Sequence, residues 1–186
     1  MRRTDFLRLT ALTVDQLKNL RSRGLLPAEI RRAGRGWADF SATDALVTSV
    51  FVELTTLQPI AVGRDMVEDG LPMLTARLGE LGRHGADHLC FGFATTVSEG
   101  LDGNEETQSL TRRVFCCRLS ELPTQLEQLQ QVLDQGRSPA LREATTWSVP
   151  NIGIVDVDSC FARMNARAER AGVLLDPIEQ QLSVLE

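Results

Sequence analysis

Residues 13–27 constrain this chain more than any other stretch, because they encode the signals for both ends of a short helix. Thr13, followed three residues later by Gln16, is the capping-box arrangement that begins a helix. Gly24 predicts the end of the helix, since glycine adopts the left-handed backbone conformation without steric cost, and Pro27 prevents further helix. The stretch therefore predicts a short helix between Thr13 and Gly24.

This predicted helix has an apolar side and a polar side. Leu17 and Leu20 are three residues apart, so they share a face and are expected to point into a core. Amides can pair with adenine, arginine with guanine and lysine with phosphate, so a helix with such groups outward fits the major groove of DNA. A solvated amphipathic helix is the alternative when the segment is considered alone. The other faces carry Gln16, Lys18, Asn19, Arg21 and Arg23.

The next segment, residues 28–40, is basic and contains two glycines between its arginines. A glycine-bearing turn between two short extended arms predicts a β-hairpin, and arginines at its tip suit a minor groove or a phosphate. A flexible basic loop is the alternative, but Trp37 and Phe40 favour the hairpin because two large aromatic side chains would anchor it to a core. The residues of the predicted tip are Arg31, Arg32, Gly34, Arg35 and Gly36.

Charge is distributed unevenly along the 186 residues, whose formal net charge is −5. Residues 1–40 hold nine Lys and Arg against four Asp and Glu, whereas residues 41–186 hold eleven against twenty-one. This asymmetry predicts a small basic nucleic-acid-binding module attached to an acidic body. No apolar run is as long as a membrane span and no signal peptide is visible, so we expect a cytoplasmic protein that does not associate with a membrane.

Further helices are predicted after the basic segment. Ser41 and Asp44 form a second capping arrangement, and the helix that they open has a wide apolar stripe typical of a buried spine. Residues 60–69 suit another short helix that Gly70 closes, and Pro72 at a helix start opens one more.

Residues 4–10 suit a first short helix, and Ala11 and Leu12 suit a tight turn into the second one. The order of helix, turn, helix, basic hairpin and long helix resembles the MerR-type winged helix-turn-helix, over roughly residues 4–70. The resemblance implies that Lys18 contacts the DNA backbone, in the place of an arginine of that family. The matching residues are Leu17 and Lys18 in the second helix, Gly24 and Leu25 at its exit, Gly36 and Trp37 in the wing, and Phe40, Ser41 and Asp44 at the start of the third helix.

Two positions depart from the family's pattern. Asn19 and Leu20 replace a usual pair of tyrosines, and Ala38 stands where the wing arginine is expected. The three arginines of the predicted hairpin tip could substitute for that wing arginine.

The second half of the chain has a different pattern. Alternating large and small residues predict strands over residues 89–96 and 112–119, with an acidic loop at residues 100–106 between them. An amphipathic helix follows at residues 122–136.

Two more strands are predicted near the C-terminus. They cover residues 145–149 and 152–157 and are separated by a turn at Pro150 and Asn151. Asp158 is then expected to cap a last helix. The resulting order β-β-α-β-β-α predicts a small α+β domain.

The predicted fold class is therefore α+β, with an N-terminal winged helix-turn-helix, further helices and a small C-terminal α+β domain. Residues 1–84 would form the MerR-like DNA-binding domain with its following helices. Residues 85–186 would form the α+β domain for dimerisation, effector binding or partner binding.

Titratable side chains at residues 84–90 offer little for metal binding. His84, His88 and Cys90 are close in sequence, but Gly85 interrupts any helical histidine pair. Surface histidines are therefore favoured over a metal site.

Two adjacent cysteines raise the alternative of a redox sensor. Cys116 and Cys117 are flanked by arginines, which would favour a reactive thiolate. Neighbouring residues of a strand point to opposite faces, and buried packing is the more common state of a free cysteine. We assign no catalytic residue, metal ligand or cofactor, and we expect a protein that is not an enzyme.

These patterns predict a sequence-specific DNA-binding transcriptional regulator of MerR-like type that binds double-stranded DNA as a homodimer. The C-terminal domain would supply the dimer contact, a small-effector pocket or a surface for a partner protein. One alternative is a phage-type DNA-packaging or excision accessory protein with the same module, and another is an adaptor or enzyme that does not bind DNA. The predicted DNA contacts are Thr13, Gln16, Lys18, Asn19, Arg21, Arg23, Arg31, Arg32, Arg35 and Trp37.

Overall fold

The computed structural model describes residues 1–27, 40–102, 105–135 and 146–175. Within them, helices surround an antiparallel sheet of three strands, which agrees with the predicted α+β class. In chain order the elements are α1 (Arg3–Thr10), α2 (Val14–Ser22), α3 (Ala42–Leu57), α4 (Ile60–Ala76), β1 (Leu89–Asp102), β2 (Glu105–Arg118), α5 (Leu122–Gln135), β3 (Thr146–Asp156) and α6 (Val157–Ala171), with short 3₁₀ turns at Leu78–Glu80 and Leu119–Glu121.

Both predicted ends of α2 are confirmed. The Thr13 hydroxyl accepts the Gln16 N–H at 3.1 Å, and the Gln16 side-chain oxygen accepts the Thr13 N–H at 2.8 Å, which completes the capping box. At the other end Gly24 has a φ of +65°, and the Leu25 N–H donates to the Leu20 carbonyl at 2.8 Å. This is a Schellman termination, so local sequence alone determines the length of α2.

The predicted buried spine is α3. Ser41 and Asp44 form its capping box, with the Asp44 N–H donating to the Ser41 hydroxyl at 2.9 Å and the Ser41 N–H to the Asp44 carboxylate at 2.7 Å. The largest side chains of the helix, including Phe51 and Leu54, are fully buried. The helix therefore runs through the core, as its wide apolar stripe predicts.

The prediction of two helices around residues 70–72 is wrong, because α4 is continuous and contains both Gly70 and Pro72. Gly70 marks a close approach between α4 and the sheet rather than a helix end. A Cβ atom there would lie 2.4 Å from the Phe91 ring and 2.8 Å from a methyl group of Val114. A glycine that ends a helix and one that allows close packing give the same signal in a sequence.

The sheet has the order β2-β1-β3, and both pairings are antiparallel. The β1–β2 hairpin runs from the pair Leu89 and Arg118 to the pair Asp102 and Glu105. The strands therefore extend well beyond their predicted limits, and most of the predicted acidic loop belongs to them. Residues 103 and 104, between the strands, lie outside the described residues.

One strand, β3, replaces the two strands predicted around Pro150 and Asn151, so the turn predicted there is wrong. The register against β1 shifts between Thr95 and Val97, opposite the proline. Because β3 lies at an edge of the described sheet, a proline next to such an irregularity breaks no inner ladder of hydrogen bonds. Among the described residues of this half, the order is β-β-α-β-α.

One buried cluster joins the N-terminal helices to the sheet. It contains Phe6 of α1, Phe51 of α3, Phe91 and Phe93 of β1, and Met164 of α6. The last helix packs against both α1 and α3. The core therefore runs across residue 84, and the division into two domains at that point stays a prediction.

The opposite face of the sheet is covered by α5. The cluster on this face comprises Ala94, Phe115 and Cys117, with Leu122, Leu126 and Leu129 partly buried against it.

No helix of the described residues has both the length and the apolar character needed to cross a membrane.

Candidate nucleic-acid interface

The structure holds α2 firmly on its inner side. Leu17 is fully buried in the core, and Leu26 is buried just after the helix ends. From α4, the Arg64 guanidinium donates a hydrogen bond to the Gly24 carbonyl at 3.0 Å. These contacts orient α2 relative to the rest of the molecule, so its remaining faces are presented in a defined direction.

All six predicted DNA contacts on α2 and its caps are exposed, namely Thr13, Gln16, Lys18, Asn19, Arg21 and Arg23. They do not form one uniform face. Successive side chains of a helix are about 100° apart, so Asn19 lies opposite the buried Leu17. Lys18 and Arg23 flank Asn19, whereas Arg21, one turn after Leu17, lies towards the inner side.

Two further side chains occupy the outermost face of α2 beside Asn19. Asp15 and Ser22 lie one turn before and three residues after it, and both are exposed. Sequence reasoning missed them because it selected for basic and amide groups, although the helical spacing alone would have included them. The outer face is therefore of mixed charge rather than purely basic.

The capping box of α2 occupies the side-chain oxygens of two predicted DNA-contact residues. The Thr13 and Gln16 side-chain oxygens each accept a backbone N–H of the capping box. The hydroxyl proton of Thr13 and the amide NH2 group of Gln16 are the donors left for a ligand.

The predicted wing residues Arg31, Arg32, Arg35 and Trp37 lie outside the described residues. The described residues nearest to them are fixed against α1. The Phe40 ring stacks on Phe6 with 4.0 Å between ring centroids, and the Phe40 N–H donates to the Met1 carbonyl at 3.1 Å. Phe40 is buried in the core as expected, and the hairpin that it was expected to anchor lies outside the described residues.

A second polar site lies where β3 passes into α6. Asp156 caps α6, accepting the Ser159 N–H at 2.8 Å and the Ser159 hydroxyl at 2.7 Å. The predicted cap, Asp158, instead accepts the N–H groups of Gly82 at 2.7 Å and Leu89 at 2.6 Å. The prediction was wrong because the helix begins at Val157, one residue before the expected cap.

His88 joins this site through a contact of 2.6 Å between its Nδ1 atom and the Asp156 carboxylate. The hydrogen bond to Asp156 raises the pKa of His88. Burial alone would raise the pKa of Asp156, but hydrogen bonds from Ser159 and His88 outweigh it and lower that pKa. The described residues contain no group of three or more His, Cys, Asp or Glu side chains that could hold a metal ion.

Arg118 is the most deeply buried cation described, with 4% of its surface exposed. Its guanidinium contacts the Glu80 carboxylate at 3.0 Å and donates to the carbonyls of Glu80 and Asp87, both at 2.8 Å. It therefore fixes the end of β2 to the segment after α4 rather than activating a thiol.

The adjacent cysteines point to opposite faces of β2, as expected. Cys117 packs beneath α5, whereas Cys116 lies against the main core. Burial raises the pKa of Cys116 to about 12 and also raises the pKa of Cys117. Neither thiol is activated as a thiolate at neutral pH, which favours the buried-packing interpretation.

Comparison of the chain with protein-family models gave no match, and comparisons with curated proteins and with solved structures gave none either.

Proposed function

We propose that this protein is a sequence-specific regulator that binds double-stranded DNA by inserting α2 into the major groove. The observation that carries the proposal is the orientation of α2. Leu17 and Arg64 fix its inner side to the rest of the protein, and its outer side carries exposed hydrogen-bonding groups. A major groove about 12 Å wide admits a helix about 10–12 Å across.

The outer face of α2 supplies the two kinds of contact that such a protein needs. Asn19, at its centre, is placed to pair with adenine, and Asp15 is suited to accept from the amino group of cytosine. Lys18 and Arg23, on the flanks, suit phosphates on either side of the groove. A negative charge at Asp15 disfavours indiscriminate binding to phosphate, so this mixture of charges supports sequence-specific recognition.

The arrangement before α2 supports a helix-turn-helix reading. Only Ala11, Leu12 and Thr13 separate α1 from α2, and Ala11 adopts a left-handed conformation with a φ of 56°. A connection of about three residues is typical of this motif. The MerR resemblance implies a wing at Gly36 and Trp37, and the arginines at positions 31, 32 and 35 are proposed to substitute for the wing arginine that Ala38 replaces.

The protein is proposed to act as a homodimer. A single helix-turn-helix module buries little surface on DNA, and two-fold symmetric half-sites supply the missing affinity. The half of the chain after residue 84 is proposed to provide the dimer contact, an effector site or a partner surface.

A binding role is favoured over a catalytic one. The Ser159 hydroxyl bonds to Asp156, and His88 Nδ1 bonds to the same carboxylate. A nucleophilic serine would instead need its hydroxyl on the histidine. Together with the raised pKa values of the thiols, this geometry leaves these side chains without an activated nucleophile.

The proposal is tested by recovering genomic fragments with the full chain and measuring their binding over a range of salt concentrations. Wild-type protein is expected to bind selected duplexes with a steep salt dependence. R31E/R32E/R35E is expected to abolish binding, whereas the matched control R83E/R113E/R163E, with equal charge change on exposed arginines elsewhere, is expected to retain it. Failure of the wild type to bind any fragment at low salt would overturn the proposal.

A further inference from the structure

Three arginines line an open cleft between α1 and α6. Arg8 comes from the last turns of α1, and Arg167 and Arg170 come from α6, with Ala171 beside them. The cleft has a volume of about 590 Å³. Arg167 and Arg170 are three residues apart and therefore share a face of α6. The packing of α6 on α1 brings these two beside Arg8, from which they are more than 150 positions distant in sequence.

The positive charge of this arginine cleft is poorly balanced. Arg8 has Asp5 as its ion-pair partner, at a long 3.7 Å. Arg167 donates to the Leu9 carbonyl at 2.9 Å, and Arg170 donates to the Ala166 carbonyl at 3.0 Å. Among the described residues, no carboxylate lies within ion-pair distance of either of these two guanidinium groups. Three like charges gathered in this way favour an anionic ligand.

The lining of the cleft indicates which anion fits. Guanidinium groups match phosphate through paired hydrogen bonds. A pocket for a small metabolite would also need apolar walls that enclose the body of the ligand, and among the described residues only Ala171 gives the cleft an apolar lining. An open cleft of arginines suits a phosphate on a long backbone that crosses the surface.

The cleft is also close to the start of α2. Arg167 contacts the carbonyl of Leu9, four residues before Thr13. A chain spans at most about 3.6 Å per residue, so this contact lies within about 14 Å of the beginning of α2. Each DNA strand carries one phosphate per 3.4 Å of axis. The cleft therefore lies at a distance from α2 that spans only a few phosphates of a duplex held in contact with that helix.

We infer that the arginine cleft of Arg8, Arg167 and Arg170 binds backbone phosphates of the duplex that α2 contacts. This inference rests on the proposed function. It extends the DNA-binding surface from the basic residues 1–40 to α6, which belongs to the acidic part of the chain. The contacts position the protein on DNA and carry no sequence information of their own.

The test compares R8Q/R170Q with the control R83Q/R113Q in the full chain. Arg167 is kept so that the link to α1 is preserved, and thermal unfolding checks that each variant is folded. Arg83 follows Gly82, which contacts Asp158 at the start of α6. With a rise of 1.5 Å per residue, Asp158 is about 18 Å along α6 from Arg170. The control therefore removes the same charge at residues that do not line the cleft.

Binding is measured for a selected duplex and a scrambled duplex of equal length between 50 and 200 mM salt, roughly the range over which phosphate contacts dominate affinity. R8Q/R170Q is expected to make the slope of log K against log[salt] less steep by about 2, at roughly 0.9 per lost contact. It is also expected to weaken binding to both duplexes by the same factor, and the control to leave both slopes unchanged.

Several results would overturn the inference. If the slope of log K against log[salt] were the same for R8Q/R170Q and the control, the cleft would not contact DNA. The proposed function would still hold if the wild type bound the duplex. A loss confined to the selected duplex would indicate base contacts instead of phosphate contacts. Inorganic phosphate that binds the wild type but not R8Q/R170Q, with an unchanged DNA slope, would assign the cleft to a small anion. Wild-type protein that binds no duplex would overturn both proposals.

Discussion

Arg167 of α6 donates a hydrogen bond to the Leu9 carbonyl of α1 at 2.9 Å, joining residues that are 158 positions apart. The carbonyl belongs to the last turn of α1, where no helical N–H is available to it. Helix α6 therefore caps α1, directly before the turn that leads into α2.

The first prediction concerns the stability of this link. Arg167→Gln is expected to lower the free energy of unfolding by about 1–2 kcal/mol, since hydrogen bonds from charged groups contribute about 1.5–3 kcal/mol and this one is partly exposed. Arg163→Gln, one turn earlier, removes the exposed ion pair with Glu53 and a contact of 3.3 Å to the Cys160 sulfur, and is expected to change stability by less than about 1 kcal/mol. Urea denaturation of both variants checks the difference, and equal losses would contradict it.

The second prediction concerns the close approach of α4 to the sheet. Gly70→Ala is expected to destabilise by about 1–3 kcal/mol, because its Cβ would lie 2.4 Å from the Phe91 ring. Gly63→Ala on the same helix is the matched control, since its nearest neighbours would be 3.7 Å away. It is expected to be neutral or to stabilise by up to about 1 kcal/mol through higher helix propensity. If Gly70→Ala left stability unchanged while Gly63→Ala lowered it, α4 would not approach the sheet at Gly70 as closely as stated.

The third prediction is a pH dependence from His88 and Asp156. The raised pKa of His88 stabilises the fold fully below the unfolded histidine value of about 6.5, and that stabilisation disappears as pH rises through the folded pKa. The lowered pKa of Asp156 stabilises the fold above the unfolded value of about 3.9, and that stabilisation disappears as pH falls through the folded pKa. The pair therefore contributes most between about pH 4 and 6.5.

His88→Gln measures this contribution. The difference in unfolding free energy between wild type and variant is expected to be larger at about pH 5.5 than at alkaline pH, because this stabilisation is lost as pH rises through the folded pKa of His88. Denaturant unfolding at the two pH values checks this, with His84→Gln as the control because His84 is exposed. A difference that grows towards alkaline pH would have the wrong sign for the contact described.

The ends of α2 could be predicted from the sequence, whereas the rest of the candidate surface could not. The difference lies in how far apart in sequence the interacting residues are. Thr13, Gln16 and Gly24 act within a few residues of one another, so the ends of α2 are predictable from sequence. The arginine cleft is not, because Arg8 meets Arg167 and Arg170 only after the whole chain has folded.

Other incorrect predictions come from residue types that occur in two different structural settings. Gly70 is a plausible helix end by sequence, but the neighbour that requires it, Phe91, is distant in the chain. Pro150 indicates a turn unless its strand lies at a sheet edge, which only the strand order reveals. Arg118 follows the two cysteines in the sequence, where an exposed cation would be the default, yet its partner Glu80, 38 residues earlier, draws it into the interior.

The fourth prediction ties the helix cap to DNA binding. Thr13→Ala removes the hydroxyl that accepts the Gln16 N–H and is expected to cost about 1 kcal/mol of stability. Because the first turn of α2 then frays, DNA affinity is expected to fall as well. Thr13→Ser keeps the hydroxyl and is expected to restore both stability and binding, as measured by urea denaturation and fluorescence anisotropy. Loss of binding in Thr13→Ser would instead indicate that the threonine methyl group is a direct contact.

The central claim is that the outer face of α2 reads base pairs, and a comparison of Asn19→Ala with Lys18→Ala tests it most directly. Affinity is measured by anisotropy for a selected duplex and for its scrambled counterpart at one salt concentration. Asn19→Ala is expected to lose about 1–3 kcal/mol on the selected duplex only, which is about 5- to 150-fold in affinity, whereas Lys18→Ala is expected to weaken both duplexes equally. Equal binding of both duplexes by the wild type, or an Asn19→Ala variant that discriminates as well as the wild type, would contradict the account.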